Sequence, residues 1–238
     1  MERAHPFHVP LPGPHHECHI RFHDLDLVLD LSGAAFVRGH GTLLVADLHF
    51  EKASSLARRG CYLPPYDTAA TLARLAGAVA RFAPGRIICL GDSFHDPEAP
   101  ERLDAGLRDT LENLAHGREW IWLSGNHDGD PGLFDMHDEI KLGETALRHI
   151  PDLATPSPEI AGHLHPCARI VQRGRSLRRR CFARGGNNLV LPSFGALTGA
   201  LNVRDEAFGA LMMRADSQAC LIGRDAVHKV AAARLLAD

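Results

Sequence analysis

Asp47 and His49 sit in the stretch VADLHF, residues 45–50, with only Leu48 between them. On an extended strand, successive side chains point to opposite faces, so residues i and i+2 share one. A carboxylate and an imidazole on one face can bond to each other, orient one another for proton transfer, or bind one metal ion. Four further polar clusters follow in order: Gly91-Asp92, Gly125-Asn126-His127-Asp128, the isolated His149, and Gly162-His163-Leu164-His165. Glycine precedes three of them, where it permits a sharp turn and close approach of the backbone. Nitrogen and oxygen donors without thiolate favour Mn, Fe, Zn or Ni over an iron–sulfur or structural zinc site. Seven candidate ligands are too many for one tetrahedral ion and suit two ions sharing a carboxylate.

Strand ends could gather these residues. DLDLVLDL, residues 24–31, alternates apolar and acidic positions as a strand with one wet face does. AAFVRGHGTLLVADLHF predicts a short strand, a turn at Gly39 to Gly41, and a second strand ending at the Asp47/His49 motif. A helix is expected over residues 66–84, with Leu72, Leu75, Val79 and Phe82 at helical spacing and Pro84 closing it. A buried strand over 86–90 runs into the Asp92 loop. A second amphipathic helix covers 100–117, and a third strand enters the Asn126 loop. This alternation argues for an α/β fold, in which ligands gather at the carboxyl ends of strands. After about residue 165, short alternating runs broken by glycines predict hairpins. LPSFGALTGALNV, residues 191–203, reads as a core segment in preference to a dimer surface. With no repeat or long linker, one domain over 24–238 is expected. A flexible His/Pro-rich leader, residues 1–23, precedes it and holds six of the 16 histidines.

The bulk composition is that of a globular protein, 45% hydrophobic and 23% charged over 238 residues. A net charge of −3 gives the whole surface no pull on nucleic acid but leaves room for a local basic patch. No apolar stretch approaches the roughly 20 residues that cross a bilayer, so no membrane association is expected. The N-terminus lacks the apolar core of a signal peptide. Six scattered cysteines without a CxxC pair fit reduced thiols in a cytoplasm.

The ordered series D-x-H, G-D, G-N-H-D, H, G-H-x-H over residues 43–165 resembles the calcineurin-like metallophosphoesterase superfamily. Read singly, the clusters also fit capping pairs or a surface strand, but five such coincidences in the right order would be required. The resemblance implies an αββα sandwich, two packed mixed β-sheets flanked by helices. It implies that Asp47, His49 and His165 hold one metal, that Asn126, His149 and His163 hold a second, and that Asp92 bridges. His127 would sit over the substrate phosphate and stabilise it or protonate the leaving oxygen, the latter help worth typically about 10²–10⁴-fold. His149, a lone histidine 14 residues before His163, rests on its place between two matched motifs. The cofactors implied are two divalent cations, Mn first, with Fe, Zn or Ni as alternatives. The reaction implied is in-line attack of a metal-bound hydroxide on phosphorus.

GDSFHD places His95 three residues after Asp92. That G-D-x-F-H pattern looks like the nuclease subunit of double-strand-break repair complexes, which implies His95 as a partner of His127. Asp96 serves equally as a site residue or a helix cap. LLVADLHFEKASSLARRGCYLPPYD, LGDSFHD, GHLHP and LRRRCFARGGNNLVLPSFGALTGALNV are similar to the bacterial ligase-associated phosphoesterases. That similarity implies a Mn-dependent endonuclease or phosphodiesterase of DNA-damage repair, with DNA as substrate and a repair ligase, helicase and nuclease as partners. RGRSLRRRCFAR, residues 173–184, holds six arginines in twelve positions. Arg178, Arg179 and Arg180 could grip DNA phosphates, with Arg58 and Arg59 adding to them, or form a solvated face bridged to the acidic strand near Asp24 to Asp30. A phosphodiesterase or phosphatase for a nucleotide or nucleotide-sugar lipid stays open, as does a non-catalytic module.

Overall fold

Hydrophobic alternation sorts the strands into two sheets packed face to face in a computed structural model that describes residues 17–128 and 136–238. The first sheet runs in chain order: β1 (Cys18–Phe22), β2 (Leu25–Leu29), β3 (Ala35–Val37), β4 (Thr42–Val45), β5 (Arg86–Cys89), β6 (Glu119–Leu123) and β7 (Met136–His137). From β1 to β4 neighbours are antiparallel, and from β4 to β7 they are parallel. The second sheet is built from β8 (Glu139–Leu142), β9 (Thr145–Arg148), β10 (Glu159–Ala161), β11 (Pro166–Gln172), β12 (Arg175–Gly185), β13 (Asn188–Val190), β14 (Leu201–Asn202), β15 (Gln218–Ile222) and β16 (Val227–Ala231). Its order is β14-β11-β12-β13-β10-β9-β8, with β15 also on β12 and β16 beyond β15. β10 is parallel to both of its neighbours, β9 and β13.

Alternate residues serve different layers. Leu44 and Ile88 face inward with Leu147, Ile160, Phe182 and Leu189 of the opposite sheet. Their neighbours Leu43, Val45, Ile87 and Cys89 face outward against Leu72, Leu75 and Val79 of α2 (Asp67–Phe82). That outer layer also holds α1 (Lys52–Arg58), α3 (Ala99–Arg102) and α4 (Ala105–Ala115), tied to one another and to α2. On the far side Cys181, Ala183 and Ala219 pack against Phe208, Leu211 and Leu235, with α5 (Gly209–Met212) in that layer. The layering is αββα, as the resemblance implies.

Four expectations change. The leader does not extend to residue 23: Cys18–Phe22 form β1, with Ile20 and Phe22 buried. Burying a side chain such as Phe22 is worth about 1.5–3 kcal/mol, which holds this strand in the sheet; residues 1–16 lie outside the described region. The helix expected over 100–117 is two, because Leu103 is extended and the Asp104 carboxylate caps α4 by accepting from the Gly106 amide at 2.9 Å. α1 was not anticipated. The 191–203 segment divides, with Leu191 to Gly195 buried and Ala196 and Gly199 exposed. All six cysteines are free, and among the described residues no helix is long and apolar enough to cross a membrane.

Candidate metal centre

Each polar cluster follows a strand. Asp47 and His49 come after β4, Asp92 and His95 after β5, and Asn126 to Asp128 after β6. His149 directly follows β9, and His163 and His165 follow β10. Carboxyl ends of parallel strands from both sheets thus meet at one edge of the sandwich. The loops continue the strand pairing: the His49 amide donates to Asp92 O at 2.9 Å, and the Gly162 amide to His149 O at 3.0 Å.

Strand alternation does not bring Asp47 and His49 together. β4 ends at Val45, and both residues are left-handed, with φ of 55° and 45°. Asp92, His163 and His165 share this conformation, at 48°, 69° and 45°. Aspartate and histidine tolerate it better than most residues, yet it still costs on the order of 1 kcal/mol or more each. Such strain persists only where the surroundings over-determine it, and it clusters at functional sites. The glycines serve close approach between the loops. A Cβ on Gly91 would lie 2.5 Å from His149 Cγ, and one on Gly125 2.1 Å from the Asp92 amide nitrogen.

Three overlapping donor groups result, one of them His49, Asp92 and His127, which links the other two. Asp47, His49 and His165 place their ligating atoms within 4.8 Å of one another, and so do Asp92, His149 and His163. In the first, His165 Nε2 lies 3.3 Å from Asp47 Oδ1 and 3.4 Å from His49 Nε2. In the second, His149 Nε2 lies 3.4 Å from Asp92 Oδ2, 3.2 Å from His163 Nδ1 and 3.0 Å from Asn126 Oδ1. The groups meet where His49 Nε2 comes within 3.8 Å of Asp92 Oδ2. His149 Nδ1 donates to the Leu90 carbonyl at 2.9 Å, which turns Nε2 toward the cluster. The lone histidine is thereby placed among its expected neighbours.

Asp47 and Asp92 are 0% and 2% exposed, and only imidazoles are their ion-pair partners among the described residues. Buried carboxylates need a compensating charge, and facing imidazole nitrogens need a proton or a cation between them. The cluster therefore fits divalent cations. Burial, with the charges of His165 and Lys52, pushes the His49 pKa down to about 2 against Asp92. Burial also lowers that of His163. Both imidazoles are thus neutral, the form that ligates. Burial disfavours the Asp92 carboxylate, but the His149 bond and charge and the His127 amide hold its pKa to about 2.

His127 stands at the rim with its side chain 41% exposed. Its Nδ1 donates to the His95 carbonyl at 3.1 Å, and Nε2 faces Asp92 Oδ2 at 4.0 Å. The His95 ring stacks on His127, while His95 Nδ1 lies 3.2 Å from His49 Nδ1.

No family model and no curated protein matches the chain. Among solved structures it is similar to the Pseudomonas putida nuclease MPE, with 28% identity and a TM-score of 0.69, over 90% of this chain and 100% of that one. The chain shares the calcineurin-like metallophosphoesterase fold with this nuclease. It is a metal-dependent phosphoesterase. Weaker likenesses reach Yfce, a phosphoesterase from E. coli (15% identity, TM-score 0.41, 80% of this chain and 98% of that one). Vacuolar protein sorting 29 from Cryptosporidium parvum follows (15%, 0.32, 70% and 79%).

Elsewhere in the metallophosphoesterase, the arginine cluster divides. Arg180 is half-buried and donates to Ser193 O at 2.6 Å and Ser32 O at 3.4 Å; burial and the Arg74 charge hold its pKa down to about 10. Arg178 pairs with Asp238 and donates to Ala200 O, and Arg179 is exposed. These arginines make no bridge to the acidic strand, whose Asp26 and Asp30 are met by Arg21 and Arg81. Asp96 caps the turn at Glu98 and is clamped by Arg102.

Two contributors were not singled out from sequence. Asp128 accepts from the Phe94 amide at 2.8 Å and the Gly125 amide at 2.9 Å, locking two site loops; its place in G-N-H-D was the available signal. Burial pushes its carboxyl up to about 6. Lys52, half-buried, lends positive charge near His49 and His95; nothing local to its sequence marks it.

Proposed function

We propose that this metallophosphoesterase is a two-metal phosphodiesterase and DNA endonuclease of bacterial DNA repair. Asp47, His49 and His165 would hold one cation and Asn126, His149 and His163 the other, with Asp92 contributing to both. The supporting observation is the meeting of the two donor groups at His49 and Asp92, 3.8 Å apart. When bound, two such cations neutralise phosphoryl oxygens and lower the pKa of the attacking water. The chain's own part is to hold these donors in strained loops and to present His127 Nε2 at the rim, where it meets the leaving oxygen. Similarity to a nuclease over its whole length supports a nucleic-acid substrate. Mn is the proposed metal, with Fe, Zn or Ni as alternatives. The cytoplasm is the proposed compartment, and a repair ligase, helicase and nuclease are the proposed partners.

A second reading, a small-molecule phosphodiesterase or phosphatase, is favoured by a cleft of about 490 Å³ beside Asn126 and His149, lined also by Arg148 and Ile150. The test uses metal-stripped protein resupplied with Mn on single-stranded DNA, supercoiled plasmid and an aryl phosphodiester, with Asp92→Asn as control. Nicking that vanishes in the variant supports the nuclease. Diester hydrolysis with intact DNA supports the small-molecule reading.

A further inference from the structure

Three of the seven large apolar side chains most exposed on the described surface fall within five residues: Tyr62 at 83%, Leu63 at 39% and Tyr66 at 64%. These are the chain's two tyrosines. The segment GCYLPPY, residues 60–66, is exposed throughout, and Pro64-Pro65 restricts its backbone. Both of its ends are anchored beside the metal centre. The Cys61 amide donates to Leu56 O of α1 at 3.0 Å. At the other end Asp67 accepts from the Ala53 amide at 2.9 Å, and Thr68 bonds Glu51 at 2.8 and 2.9 Å. Glu51 is two residues past His49, so the loop rises from the lip next to that proposed ligand.

The charges around it are mixed: Asp67 and Glu51 hold its ends and Arg58 pairs with Glu98, while Arg59 points to solvent. Arg59 ends α1, is exposed, and meets no carboxylate among the described residues. The Arg59 and Lys52 charges both reach His95. Exposed aromatic rings beside one unpaired cation, Arg59, at the lip of a phosphodiester site match what unpaired bases and a phosphate require: stacking faces plus positive charge. An apolar protein partner would leave Arg59 without a counter-charge.

Resting on the nuclease reading, we propose that Tyr62 and Tyr66 form a stacking platform for unpaired bases flanking the scissile phosphodiester, with Arg59 on an adjacent phosphate. The platform selects single-stranded or frayed nucleic acid over paired duplex, because only unpaired bases offer free faces.

The test compares Mn-loaded full-length protein with Tyr62→Ala/Tyr66→Ala on three substrates. These are a single-stranded oligonucleotide, one of equal length and charge with abasic residues flanking the cleavage site, and an aryl phosphodiester. Neither tyrosine side chain caps a helix, so the variant keeps its fold. The expected result is a loss of kcat/KM on the order of 10- to 100-fold on the base-bearing strand alone, restored by Tyr62→Phe/Tyr66→Phe. Incorporated 3-fluorotyrosine labels the patch alone. Without divalent metal, its ¹⁹F resonances should shift with the base-bearing strand and not with the abasic one. Equal losses on both strands, or none, overturn the platform while leaving the nuclease intact. Hydrolysis of the aryl diester with neither strand cleaved or bound overturns both. A variant that loses only self-association marks a protein interface and overturns the platform.

Discussion

The rings of His95 and His127 stack with centroids 5.0 Å apart and planes 19° apart, while the His95 carbonyl accepts from His127 Nδ1 at 3.1 Å. One residue thus fixes both the plane and the tautomer of another, leaving His127 Nε2 at the open rim. Burial and the charges of Lys52 and His127 push the His95 pKa down to about 4, so its ring is neutral at physiological pH.

His127→Ala should lower kcat by about 10²–10⁴-fold on a substrate with an alkoxide leaving group and far less on an aryl phosphodiester. A p-nitrophenolate departs without a proton. Steady-state kinetics on the two substrates checks this; equal losses on both would remove the proton-donor role.

His95→Ala should cost roughly 10–100-fold in activity, because it frees the His127 ring and removes the contact to His49 Nδ1. Metal content by mass spectrometry should fall with it. A variant with full activity and full metal would show that His127 is held by its backbone contact alone.

Gly91→Ala meets two obstacles, a φ of +77° and His149 Cγ at 2.5 Å from the new Cβ. It should destabilise by more than about 1 kcal/mol and weaken metal binding. Gly117→Ala, at φ +72° with nothing within 4 Å, should show the backbone penalty alone. Chemical denaturation and metal titration of the pair separate strain from clash.

Asp96 carries a pH dependence of known sign. Burial works against its charge, but the paired bonds from Arg102 and the one from Ser55 outweigh it and hold the pKa to about 2, below the ordinary 3.8. The stabilisation is therefore complete above about pH 4 and is lost as pH falls through 2. Melting temperatures of wild type and Asp96→Asn should differ at pH 5 to 7 and converge near pH 2. A constant gap would show that the pair contributes shape and not charge.

Among the arginines, Arg179→Ala should lower the slope of log K for DNA against log salt by about 1. Arg180→Ala should lower thermal stability, since it strips the Ser193 and Ser32 carbonyls of a donor, at about 1–3 kcal/mol where such groups stay buried. Filter binding across a salt series, with melting curves, distinguishes the two roles.

Sequence by itself determined the chemistry on offer. Residue type and order, D-x-H through G-H-x-H, are local facts, and each cluster follows an apolar run that does become a strand. The helix at 67–82 was legible because its apolar spacing has one period and one destination. Local pattern could not determine what depends on partners distant in the chain. Cys18–Phe22 became a strand because Leu25–Leu29 pairs with it. Asp47 and His49 converge because left-handed loops, held by Gly91 and Asp92 carbonyls, turn them there, and not through the strand alternation their spacing suggests. His149 joined the cluster because β9 lies parallel to β10. Arg180 left the surface because Ser193 and Ser32 claim its guanidinium. Those placements belong to the packing of two sheets, whose contacts join residues more than a hundred positions apart, such as His49 and His165.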